Sequence, residues 1–456
     1  MKRLIPFLFL LASCMLNAQN TVEGIIHNLD SYRIYLLNFY GEKSTVIDSV
    51  QADSTGKFVF RVAADREPGM YRIQWKKEKQ IDLLLNRETI SFTTDNNAPY
   101  DSLVILSSSE NKIYYDFSRI DKINQNRLEL LLPIVDFYPI RDSFYYLASG
   151  EMEHIQITQG LLLDSLEKRY PDSYAVKIFR LYRTPFLAAT LSKDDRLKLL
   201  QQHYFDKVDF NDTSLLNSPV FANKAISYLA LYSDNRFSKK QLEAEFIKAV
   251  TVILSAASVN PSVFKFLLDY LVSGFDKYHF DEVITYIADN FKDPYSCEDQ
   301  QRKSSLQKKL ETFQKIAVGK IAPDLGIPDQ KNKTIQLAKV QAEYTLLVFW
   351  SSDCPHCTSL LPRLKKLYDS QKSKRFEVYA VSIDTSRTSW AGFIKNEKLN
   401  WINVSDLKGF ASKSADDYNI YATPTIFLLD QKKTILAKPI TYQETEQALR
   451  NQKLIP

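Results

Sequence analysis

The run Thr345-Leu-Leu-Val-Phe-Trp350 leads through Ser351-Ser-Asp353 directly into Cys354-Pro-His-Cys357. A strand apolar at consecutive positions has no face to give to water, so it must be covered on both sides. Pro355 suits the first turn of a helix, which places the helix start at Cys354. The spacing predicts a helix over 355–371. Phe376-Glu-Val-Tyr-Ala-Val-Ser-Ile383 is a second buried strand, and 389–397 a second helix. Thr425–Asp430 and Thr434–Ala437 flank the turn Gln431-Lys-Lys433 as a hairpin. Strand and helix alternating and closing on a hairpin give a mixed sheet covered by helices, from about 317 to 456.

The Cys-Pro-His-Cys run admits four chemistries. A c-type haem site needs His after the second Cys, and residue 358 is Thr. A zinc site needs further ligands, and no second Cys/His pair has the spacing, so no metal is expected. A structural disulfide over so short a loop stabilises little. A redox dithiol on a strand-to-helix turn remains. A helix N-terminus stabilises an anion, so a thiolate there is favoured. Cys357 shares a helical face with Leu360, Leu361, Leu364 and Tyr368, which must pack on the sheet. Cys357 is therefore the shielded, resolving sulfur and Cys354 the exposed nucleophile. His356, between them, offers positive charge or a hydrogen bond to the thiolate. Asp353 opposes that charge unless it points to solvent.

The other 300 residues divide in two. Residues 20–108 show period-two runs at 31–37, 45–50, 57–62, 70–75 and 81–85, separated by polar turns such as Ser54-Thr55-Gly56. Regular short strands of this kind predict an antiparallel β-sandwich. Residues 110–316 contain only three of the eleven glycines of the chain. Ser218-Pro219 and Asn260-Pro261 read as helix starts, and Ser192-Lys-Asp-Asp195 as a capping box. Val263, Phe264, Phe266, Leu267, Tyr270 and Leu271 recur at three-and-four spacing. A central α-helical bundle follows, a scaffold with nothing catalytic in it. The histidines His27, His154, His203 and His279 show no ligand spacing.

The first residues are an address. Lys2-Arg3 precede an apolar run, too short to span a bilayer, that ends in small residues, as in a secretory signal covering 1–18. Leu11-Ala12-Ser13-Cys14 resembles a bacterial lipobox in which Cys14 is acylated, whereas Asn17-Ala18-Gln19 reads as ordinary cleavage after Ala18. The chain is therefore expected outside the cytosol, in the periplasm or cell envelope, with an outer-membrane lipoprotein as the lipidated form. The net charge of +5 includes Lys2 and Arg3, and no long run of one sign exists, so nucleic acid is not an expected partner. Cys297 leaves the mature chain with an odd number of cysteines, and is read as a buried free thiol or an intermolecular bridge.

Residues 317–456 resemble the thioredoxin-like family, nearest the TlpA/ResA branch of exported thiol–disulfide oxidoreductases. The resemblance rests on Gly319-Lys-Ile-Ala-Pro-Asp324, on Phe349-Trp-Ser-Ser-Asp-Cys-Pro-His-Cys357 and on Tyr418-Asn-Ile-Tyr-Ala-Thr-Pro-Thr-Ile-Phe-Leu-Leu-Asp430. It implies a thioredoxin fold and no cofactor. It also implies a cis Thr423–Pro424 bond facing the dithiol, with a free backbone edge for a substrate strand. Protein thiols and disulfides would be the substrates, with an upstream redox partner. Two departures stand out. Thioredoxin keeps a buried Asp six residues before its first Cys, where this chain has Val348, and the Pro-His dipeptide matches the oxidising DsbA type, which leaves the direction of exchange open. The N-terminal part resembles, more loosely, a domain of unknown function that precedes such domains in exported proteins of some Gram-negative bacteria.

Two other functions compete with this reading. A peroxiredoxin needs Pro and Thr seven and three residues before its peroxidatic Cys; before Cys354 those positions hold Leu347 and Ser351, and before Cys357 they hold Trp350 and Cys354. A partner-binding protein with an incidental dithiol would leave Cys354 closed to alkylation.

Overall fold

The computed structural model describes residues 19–29, 33–63, 65–291, 305–370 and 375–455. The expected signal segment 1–18 with Cys14, and also Cys297, lie outside the described residues. The chain divides into two compact units: the residues up to Phe237 with Lys248–Tyr270, and Ser238–Ile247 with Leu271 onward.

The first unit opens with strands β1 (Gln19–His27), β2 (Arg33–Tyr40), β3 (Lys43–Gln51), β4 (Lys57–Ala63), β5 (Gly69–Lys76), β6 (Lys79–Leu85), β7 (Ile90–Asp95) and β8 (Val104–Ser107). Among the described residues they form two four-stranded sheets, ordered β4-β1-β7-β8 and β3-β2-β5-β6. Alternation selects the inner face: Phe58, Phe60 and Val62 of β4 are buried, while Lys57, Val59 and Arg61 face out. Inner residues of both sheets share one core, with Val22, Phe60 and Phe92 from one and Leu36, Ile73 and Leu83 from the other. The expected sandwich is present. Its pairing is not wholly antiparallel, because β1 and β7 run parallel, Val22 opposite Ile90. Strands so far apart in sequence are not bound by a hairpin to run antiparallel.

Nine helices follow among the described residues: α1 (Ser109–Phe137), α2 (Ser143–Arg169), α3 (Tyr174–Tyr182), α4 (Lys193–His203), α5 (Val220–Ala230), α6 (Lys239–Ala257), α7 (Pro261–Lys277), α8 (Asp281–Asn290) and α9 (Ser305–Lys315). None of the described helices is long and apolar enough to cross a membrane. Ser192 caps α4 as expected: its Oγ accepts from Asp195 N–H, while the Asp195 carboxylate accepts from the Ser192 hydroxyl and not from its main-chain N–H as a full capping box would. Asn260 caps α7, accepting from Ser262 and Val263 N–H. Ser218 does not cap α5. The helix starts one residue later, with Pro219 as its cap residue, and the Ser218 hydroxyl donates backward to Leu215 O. The short helical turn at 213–217 supplies that acceptor, and the sequence pattern does not reveal it.

The second unit contains β9 (Gly326–Pro328), β10 (Thr334–Gln336), β11 (Tyr344–Trp350), α10 (Pro355–Asp369), β12 (Phe376–Ser382), α11 (Arg387–Asn396), β13 (Ile402–Val404), α12 (Lys413–Asp417), β14 (Thr425–Asp430), β15 (Ile435–Ala437) and α13 (Tyr442–Asn451). Its main sheet has the order β13-β12-β11-β14-β15. β11 pairs parallel with β12 and antiparallel with β14, so the sheet is mixed, as expected. Successive β11 residues serve two cores. Leu346, Val348 and Trp350 pack with Leu361 and Leu364 of α10 and with Trp390, whereas Leu347 and Phe349 pack with Leu325, Tyr379 and Phe427 on the opposite face. That two-sided demand is why the strand carries no polar residue after Thr345. It fixes the end of β11, and with it the turn that follows.

Candidate functional site

Cys354 is the N-cap residue of α10, in extended conformation, with Pro355 at the first helical position. The helix ladder begins at once, Thr358 N–H donating to Cys354 O at 3.0 Å. Both cysteines are free thiols. Cys354 is half-buried, and Cys357 is 0 % exposed in the core formed by Leu360, Leu361, Leu364 and Tyr368 with the sheet. The face deduced from helical spacing is the face that packs.

Thr423, 69 residues along the chain, returns to the dithiol. The Cys354 thiol donates to the Thr423 carbonyl at 3.1 Å. Thr423–Pro424 is a cis peptide bond, as the resemblance implied. The structure thus brings together Cys354, Cys357 and Thr423, with Pro424 next in the chain. The His356 imidazole is exposed, and what reaches the sulfur from that residue is its main-chain N–H. Asp353 is exposed too, with its N–H donated to Ser351 Oγ at 3.3 Å.

The two sulfurs differ in acidity. Burial works to raise the Cys354 pKa but is outweighed by hydrogen bonds from the Thr423 side chain, from the Cys357 thiol and, behind these, from the Cys357 and His356 main-chain N–H groups, and the net shift is downward. The last two are the contribution of the helix N-terminus. Burial dominates at Cys357 and pushes its thiol up to about 12. Val348, where thioredoxin has its buried Asp, is itself fully buried and offers no proton acceptor.

One residue at this site escaped the sequence reading. Asp384, just past the end of β12 and only 3 % exposed, accepts hydrogen bonds from Ser351 Oγ, Ser352 N–H and Ser352 Oγ, each at 2.9 Å, and from Ser382 Oγ at 2.6 Å. A buried carboxylate costs much free energy unless it is hydrogen-bonded, and here the donors are the turn leading to Cys354. Its one sequence signal was a lone acid closing a buried strand, Ser382-Ile-Asp384. Among the described residues no group of three or more His, Cys, Asp or Glu is placed to hold a metal ion.

Comparison with known proteins gives two family matches: the AhpC/TSA family over residues 318–438, and a domain of unknown function, DUF4369, over 20–114. The thiol-disulfide oxidoreductase ResA of Bacillus cereus is 30% identical over 134 residues, which cover 29% of this chain and 76% of that protein. The sporulation thiol-disulfide oxidoreductase A of Bacillus subtilis is 33% identical over 127 residues, 27% of this chain and 68% of that protein. Among solved structures, a domain of a possible thiol-disulfide isomerase from Cytophaga hutchinsonii is 36% identical, covering 30% of this chain and 93% of that one, with a TM-score of 0.28.

Proposed function

This chain belongs to the ResA-type thiol–disulfide oxidoreductases, and from that premise we propose that it exchanges disulfides with exported proteins, Cys354 attacking and Cys357 resolving. The single observation that carries the reading is the split between the sulfurs. One is reachable and acidified at a helix N-terminus; the other is buried and held protonated.

The Cys354 thiolate attacks one sulfur of a substrate disulfide. That S–S bond breaks, a mixed disulfide forms, and the other substrate sulfur leaves as a thiolate. The leaving thiolate takes the Cys357 proton. Cys357 then attacks Cys354 Sγ, a Cys354–Cys357 disulfide forms, and the second substrate sulfur departs. The substrate gains two electrons and the pair loses two. An upstream dithiol partner restores the pair by the same steps in reverse. The potential of the couple sets the direction, reducing near about −270 mV and oxidising near about −120 mV.

Thr423 meets the Cys354 sulfur and, with Pro424 next to it, offers backbone to an extended substrate segment. His356 contributes its main-chain N–H at the sulfur. The basic-then-apolar start of the chain supports work in the periplasm or cell envelope, either free after Ala18 or tethered through Cys14. Insulin, as a protein disulfide, and hydrogen peroxide together test the reading. The reduced full-length protein should reduce insulin with two thiols oxidised per disulfide, should lose this activity in Cys354→Ser, and should leave peroxide unconsumed. Cys354-dependent peroxide consumption with insulin untouched would replace the reading with the peroxidase one.

A further inference from the structure

The segment that carries Thr423 and Pro424 is tied down two residues before Thr423. After α12 the main chain is fixed by Asn419 N–H to Asp416 O and by Ile420 N–H to Ala415 O. The next residue, Tyr421, is half exposed and sends its side chain to the C-terminus of α7. Its hydroxyl lies 3.2 Å from Asp276 Oδ1, 3.2 Å from Asp276 O and 3.3 Å from His279 Nδ1. Its ring lies parallel to the His279 imidazole, at 5°. Asp276 is 9 % exposed and also pairs with Lys309 of α9. A second tie lies nearby in sequence, Lys438 just beyond β15 with Asp281 of α8.

The end of α7 closes on a defined pair of hydrogen bonds. Phe280 N–H donates to Phe275 O and His279 N–H to Asp276 O, the paired bonds of a Schellman motif. The residue in the left-handed position of that motif is ordinarily Gly; here it is His279, with φ of 59°. The same motif ends three other helices with Lys398, Asn419 and Lys453 in that position, so what sets this one apart is where its side chain goes. The His279 side chain faces Tyr421. One hydroxyl hydrogen serves three neighbours, so the consistent arrangement has Tyr421 donating to Asp276 and accepting from His279 Nδ1.

We propose that Asp276 and His279 form a positioning element for the substrate-facing segment, acting through Tyr421, and so give the end of the helical region a part in substrate engagement. The proposal rests on the dithiol reading above and deepens it. Tyr421 stands two residues before the carbonyl that receives the Cys354 thiol. Losing its anchor loosens the segment a protein substrate must pair with, and leaves in place the helix that carries the sulfurs.

The experiment compares insulin with hydroxyethyl disulfide, which needs no backbone edge, using the full chain. For Tyr421→Phe, KM for insulin should rise about two- to tenfold, the factor that one or two net hydrogen bonds supply, with kcat and the small-disulfide rate within about twofold of wild type. His279→Gly gives the helix end the residue its motif usually takes. Its thermal midpoint should match or exceed wild type while KM for insulin rises as in Tyr421→Phe. Asp276→Asn, which keeps an acceptor, should restore most of what Asp276→Leu loses. Insulin kinetics unchanged in both Tyr421→Phe and His279→Gly, or insulin and small-disulfide rates falling together, would overturn the proposal. A Cys354→Ser variant that reduces both substrates, or a wild-type protein that neither reduces these disulfides nor oxidises a reduced protein dithiol, would contradict the dithiol reading itself.

Discussion

Cys354 and Cys357 sit one helical turn apart, and the first is half-buried at the helix cap while the second is fully buried beneath it. The difference follows from the apolar face that α10 turns to the sheet.

Alkylation should read this difference directly. Of Cys354 and Cys357, iodoacetamide should modify only Cys354 in the native protein, and its rate should rise with pH through a midpoint below that of an ordinary thiol, because the Cys354 pKa is lowered. Cys357, with its pKa raised to about 12, should react only after unfolding. The same shift has a stability consequence. A thiol whose folded pKa exceeds its unfolded value contributes stability fully below the unfolded pKa, and that contribution is lost as pH rises toward about 12. Mass spectrometry of the labelled protein checks the first point, and urea midpoints between pH 8 and 11 the second. Labelling of Cys357 in the native state would contradict the burial argument.

Asp384 should matter to stability as well as to the site. Asp384→Ala removes the acceptor for the Ser352 N–H and for three hydroxyls, so it should cost about 1–3 kcal/mol, with Asp384→Asn costing less. Urea denaturation measures this. The alanine variant should also alkylate Cys354 at a changed rate, since the turn before it loses its anchor. An alanine variant as stable as wild type would show that the network carries nothing.

His356 separates two sources of thiolate stabilisation. Its main-chain N–H reaches Cys354, and its imidazole is exposed. His356→Ala keeps the N–H, so thiolate absorbance against pH should stay as in wild type. A large upward shift would assign the effect to the imidazole instead.

How much of this was legible in the sequence follows from the range of each interaction. The Cys357 face was readable because residues three and four apart share a helical face, and β11 because an uninterrupted apolar run has only one kind of place to go. Asn260 and Ser192 cap their helices through neighbours in sequence. Ser218 fails as a cap because the turn before it supplies a competing acceptor, which only the folded chain reveals. Asp384 and Tyr421 were missed because their partners lie 32 and 145 residues away. The end of α7 was hidden for a local reason: the glycine that usually marks such a terminus is a histidine.

The central claim, that Cys354 attacks and Cys357 resolves, is tested most directly by trapping. Full-length Cys357→Ala and Cys354→Ala proteins are each incubated with insulin, quenched with acid, and analysed by non-reducing mass spectrometry. Cys357→Ala should accumulate a mixed disulfide through Cys354 because the resolving thiol is gone, and Cys354→Ala should accumulate none. A mixed disulfide that forms only in Cys354→Ala, through Cys357, would reverse the assignment and contradict the account.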